Sequence, residues 1–123
     1  MTVTIHSYQD GKESVVSAAG SFTGYWMDET KPEKRTYSVE INIPYVYRFC
    51  DFHTVQSPSD AIVKEAGGHY LFGKVTACEE DVVFLSIGND LIMIVIFPDN
   101  CFQTLVDQNV SLLVHKIELY RID

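Results

Sequence analysis

The chain has 123 residues, 46% of them hydrophobic, and seventeen acidic residues against nine basic ones give a formal net charge of −8. That length supports one domain, residues 1–123, with a sizeable core. A field of negative sign repels phosphate backbones and anionic membranes, which weighs against nucleic acid and favours a basic partner.

The first ten residues hold neither a basic start nor an apolar run, and Thr2 stands where myristoylation requires glycine, so a cytoplasmic protein is expected. Cys50, Cys78 and Cys101 are an odd number and too few for a disulfide framework; reduced, mostly buried thiols are expected.

Taken in order, Thr2 to Tyr8 alternates as a strand, and Gln9-Asp10-Gly11-Lys12 reads as a turn. Val15 to Met27 reads as a second strand. Gly20 and Gly24 on one of its faces permit sharp coiling or make room for a neighbouring ring. Asp28 to Arg35 is charged, contains Pro32 and has no apolar residue to tie it to a core, which predicts an exposed, mobile loop. Thr36 to Phe49 puts Tyr37, Val39, Ile41, Ile43, Tyr45, Tyr47 and Phe49 on one face, and Pro44 must bend this strand or place it at an edge.

Ser57-Pro58-Ser59-Asp60 carries the signals of a helix start, with Ser57 as N-cap, and Gly67-Gly68 those of a stop, predicting a helix over Ser57 to Ala66. A strand over His69 to Cys78 and an acidic turn, Glu79-Glu80-Asp81, come next. Val82 to Phe97 is the most apolar part of the chain, two strands joined at Gly88-Asn89-Asp90. Leu91 to Phe97 has no polar side, so it is expected to be a central strand covered on both faces. Cys101 to Val106 is predicted as one helical turn capped by Asp99. Along Asn109 to Ile122 the apolar parity changes near His115-Lys116, which implies a β-bulge or a strand passing between two packing environments. The expected fold is mainly β (a β-rich α+β chain): a small, strongly curved antiparallel sheet or OB-like barrel with one or two short helices. An open sheet with the helix across one face is the runner-up.

Chemistry-bearing motifs are sparse. Cys50-Asp51-Phe52-His53 has the spacing of half a zinc site, but no second half is evident, and a nucleophile pair would need a base held by a third group, a geometry that sequence does not show. Aromatic residues would suit single-strand binding, yet the basic groove that such binding needs is missing. No catalytic residue, metal or cofactor is therefore expected, and a non-enzymatic protein-binding module is. In general character, acidic, small and without a catalytic constellation, the chain resembles the immunity proteins that neutralise bacterial toxins. That resemblance is one of type and assigns no residue; it implies a basic toxin domain as partner. The residues expected to bind it are Tyr25 and Trp26 beside Asp28 and Glu29, rings suited to anchoring next to carboxylates suited to steering, together with Glu79, Glu80 and Asp81. Alternatives are a generic assembly module, or a small-ligand or single-stranded nucleic-acid binder in an OB-like barrel.

Overall fold

Alternation with a period of two dominates this sequence, and strands follow from it. The computed structural model describes residues 1–9, 12–33, 35–57 and 59–122, with the side chains of all of these except Tyr8, Gln9, Ser14 and Val16. Strands hold 60% of the described residues and helical turns 8%, so the mainly β expectation holds. In order the strands are β1 (Thr2–Gln9), β2 (Lys12–Ser17), β3 (Gly20–Trp26), β4 (Thr36–Asn42), β5 (Phe52–Thr54), β6 (Ala61–Glu65), β7 (Gly68–Glu79), β8 (Val82–Ile87), β9 (Asp90–Val95), β10 (Asn109–Val114) and β11 (Glu118–Arg121). Two 3-10 turns, Phe49–Asp51 and Asn100–Leu105, complete the elements.

The strands divide into two sheets rather than one closed barrel. In the first, β1, β2, β3, β11 and β4 pair in that order, and β4 pairs back with β1. The second is open, in the order β5-β10-β7-β8-β9, with β6 also on β7. One edge of the long β7 takes β6 along Gly68 to Phe72 and β8 from Lys74 onward, while its other edge takes β10. At Gly73, between those two partners, an added Cβ would lie 2.4 Å from Ser86 O, so only glycine fits. The sheets meet where the Ile62 N–H donates to Ala19 O at 2.9 Å, and they share one apolar core that includes Phe22, Val39, Leu71, Leu85, Ile94, Phe102 and Leu119.

Several sequence expectations change. Ser57 to Ala66 is not a helix: residues 61–65 form β6, Ile62 is buried, and Gly67, at φ 83, turns the chain into β7. Local cap signals lose because a ten-residue helix is marginal alone and Ala61, Ile62 and Ala66 bury little, whereas pairing with β7 satisfies the backbone. Val15 to Met27 is not one strand but the hairpin β2–β3, reversing before Gly20, whose φ is 132. Gly24 does make room for a neighbour, though an aliphatic one: its missing Cβ would lie 2.8 Å from Leu119 Cδ1. The loop after β3 is tied down by two polar bonds, Trp26 Nε1–H to Thr30 O at 2.7 Å and Glu33 N–H to the Tyr37 hydroxyl at 2.8 Å, and Pro32 within it is buried rather than exposed. The last segment is two strands in different sheets, so of the two readings of its parity change the passage between environments is the one that forms. The turn expected at Asp10-Gly11 lies outside the described residues. The Asp99 cap is present, its Oδ1 accepting from the Cys101 N–H at 2.8 Å.

Candidate functional site

The largest departure from expectation concerns the most apolar strand. β9 pairs with β8 and ends the second sheet, so it is an edge strand and not a central one. Side chains alternate along it and through the two residues that follow: Ile92, Ile94 and Ile96 are buried at 1%, 0% and 2% exposure, while Leu91, Met93, Val95 and Phe97 stand 59%, 51%, 40% and 51% exposed. Both parities are apolar, which hid the alternation in the sequence. The available clue was the segment that follows, since Pro98 and a 3-10 turn supply no strand to cover the second face.

Backbone direction adds to this. Tyr47 N–H donates to Val95 O and Phe97 N–H to Tyr47 O, both at 2.9 Å, so these groups point away from β8. Because peptide groups alternate along an antiparallel strand, Leu91 and Met93 also turn their N–H and C=O to the outer edge. One end of that edge is closed by Tyr47, and the other by the Met1 ammonium, 3.2 Å from Asp90 Oδ1 and donating to Val39 O at 2.9 Å. Between them, Leu91, Met93, Val95 and Phe84 face Ile41, Asn42 and Tyr120 across an open groove of about 570 Å³. Tyr120 and Ile122 are exposed as well, at 40% and 63%, extending apolar surface onto β11. Carboxylates sit beside it: Glu40 lines the groove, and Glu118, nearly buried, accepts from Asn42 Nδ2 at 2.7 Å and lies 3.5 Å from Lys116 Nζ.

The residues singled out from the sequence fall in two places. Tyr25 is half-buried at the end of β3, with Lys116 Nζ 4.7 Å and Lys12 Nζ 5.8 Å from its ring centroid. Trp26 is half-buried against the core, packed edge-on to Tyr37 with centroids 4.9 Å apart, and its indole N–H is already taken by Thr30. Its backbone N–H donates to Glu13 at 2.6 Å; burial raises the pKa of that carboxyl, and this bond opposes the shift. Asp28 and Glu29 are exposed in the bend that follows. Glu79, Glu80 and Asp81 are exposed in the β7–β8 turn of the other sheet. In the first group the Tyr25 N–H donates to Ile117 O at 2.8 Å and Trp26 donates to Glu13 and Thr30, whereas in the second Asp81 O accepts from the Ile96 N–H at 2.9 Å, beside the end of β9.

Other polar interior groups serve the fold. His69, 6% exposed, accepts from the Thr23 N–H through Nε2 at 3.1 Å, and its Nδ1 has no partner among the described residues. Burial first, and then the charge of Lys64, lower its pKa and keep the ring neutral. The three cysteines are free thiols, but Cys50 and Cys101 are exposed rather than buried. Among the described residues no group of three or more His, Cys, Asp or Glu gathers to hold a metal ion, and no helix is long and apolar enough to cross a membrane.

Comparison with protein-family models, with curated proteins and with solved structures finds no match to this chain.

Proposed function

We propose that this chain is a non-enzymatic module that binds a basic protein partner on the outer face of β9, and that immunity-type neutralisation of a basic toxin domain is its specific form. The observation that carries the reading is the row Leu91, Met93 and Val95 on the outer face of β9, continued by Phe97 just past its end, four large exposed apolar side chains. Contiguous apolar surface of this kind is uncommon on a free monomer and marks a docking site when a polar rim surrounds it. A net charge of −8 supports a basic occupant over a second copy of the chain, since two such copies repel. The acidic turns, Asp28 with Glu29 and Glu79 to Asp81, add to the field that would steer such a partner, with Tyr25 and Trp26 behind the first of them.

The test is affinity capture from a lysate of the organism that encodes the chain, comparing wild type with the double variant Leu91→Ser, Met93→Ser. Both positions are exposed, so the melting temperature should stay within a few degrees. A basic protein held by wild type should bind the variant at least about tenfold more weakly, as expected when apolar anchors at an interface are truncated. Equal capture by both proteins would remove β9 as the binding face.

A further inference from the structure

Residues 45–47, Cys50 and Asp51 of the first 3-10 turn, positions of β5, β7 and β10, and His115 line a second, half-open cavity of about 430 Å³. That lies within the range of about 300–1,000 Å³ typical of small-ligand pockets. Its fixed polar groups offer lone pairs. Asp51 Oδ2 accepts the Arg48 N–H at 2.7 Å, which holds the carboxylate in place and leaves Oδ1 for a ligand. His115 Nδ1 lies 2.9 Å from Gly67 O; a carbonyl can only accept, so Nδ1 carries a proton, and in the neutral form of the ring Nε2 offers a lone pair.

Tyr47 adds an independent observation. It is 7% exposed, and its hydroxyl is buried with no hydrogen-bond partner among the described residues. Burial, then the charge of Asp51 and the neighbouring Tyr45, push its pKa up to about 12, so it stays a neutral hydroxyl whose oxygen can accept. A buried hydroxyl left unpaired costs stability, and a ligand that bonds to it recovers that loss. Tyr45 and Tyr70 belong to the lining of the same cavity, and among the described residues no Lys or Arg lines it. The nearby Arg48 lies instead over the Phe97 ring, 5.4 Å from its centroid.

A cavity with one carboxylate, fixed acceptors and tyrosine rings suits a flat cation that only donates. A guanidinium has five N–H donors, no acceptor, and a planar face that stacks on aromatic rings. An ammonium would satisfy the charge but leave the flat ring surface unused, and an anion would meet Asp51. Elsewhere in this chain the same pairing occurs within the fold, with Arg35 Cζ 4.0 Å from the Tyr37 ring centroid. We propose that this cavity binds a guanidinium group, an arginine side chain of the basic partner, the source of the arginine resting on the protein-binding reading above and the chemistry of the cavity on its own residues.

The probe is blocked arginine, N-acetyl-arginine amide, titrated into the full chain and followed through the ring resonances of His53 and His115. It should shift them saturably. Blocked citrulline, the neutral isostere, should not, and blocked lysine should bind at least about tenfold more weakly, since it lacks the planar fork. Asp51→Asn should weaken blocked arginine at least about tenfold by removing the charge from the hydrogen-bonded pair. Tyr47→Phe should weaken it by roughly threefold to tenfold while the melting temperature stays the same or rises, because the variant deletes a buried hydroxyl that the fold leaves unpaired. A merely structural Tyr47 would give no change in binding. Absence of a saturable shift, or equal binding of citrulline, overturns the proposal. The titration needs no partner, so its outcome is separate from that of the β9 variants. If Asp51→Asn loses blocked arginine yet captures the basic partner unchanged, the guanidinium comes from a free small molecule, and its assignment to the partner falls.

Discussion

Ile94→Asp is expected to unfold the domain or make it insoluble, whereas Met93→Asp, one residue earlier on the same strand, should leave it folded. Ile94 is 0% exposed and belongs to the shared core, so an unpaired carboxylate there has neither water nor a cation to compensate it. The cost is several kcal/mol, against a total stability of about 5–15 kcal/mol for a domain of this kind. Met93 is 51% exposed on the opposite face of β9, where a carboxylate stays hydrated and the loss is about 1 kcal/mol of strand preference. Thermal melting of the two variants side by side is the check. Similar melting temperatures would mean that β9 does not have one buried and one open face.

The second large effect is expected at Phe102, where truncation to alanine should cost about 3–5 kcal/mol. Its ring is 0% exposed and stands edge-on to both Phe49 and Phe52, with centroids 5.5 Å away in each case. These three rings join the two 3-10 turns to β5. Asp99 positions Phe102 by capping its turn, so the backbone around the new void is held and collapse can recover little. Urea unfolding should show a lower midpoint at unchanged slope, the sign of lost stability without a change in the surface exposed. A loss under about 1 kcal/mol would place Phe102 outside the core.

How far the sequence could carry this picture depended on whether the signal was local. Period-two alternation and turn chemistry revealed β1, the β8–β9 reversal at Gly88 (φ 62) and the Asp99 cap, because each is decided within a few residues. Residues 57–66 misled for the same reason: their cap signals are sound locally, but the pairing of Ala61 to Glu65 with Gly68 to Phe72 is a gain that only the hairpin supplies. β9 misled differently. An unbroken apolar run is what a doubly covered strand requires, and it is equally what a strand with one core face and one docking face requires; composition cannot separate the two. The cavity under Tyr47 was only half legible, since Cys50 to His53 was visible as a cluster, while Tyr70 and His115 reach it through strand pairing. Tyr25, Trp26, Asp28 and Glu29 do adjoin one another as sequence adjacency implied, but Trp26 spends its indole N–H within the fold.

The central claim is that the outer edge and outer face of β9 are open in the free chain. Residue-resolved amide hydrogen exchange of the isolated protein tests it most directly. Leu91 and Met93 amides, turned away from β8, should exchange fast, and Ile92 and Ile94 amides, bonded to β8, should be slow, a two-residue alternation confined to one strand. Uniform protection from Leu91 to Ile94 would show that another segment or a second copy already covers this edge, and would contradict the account.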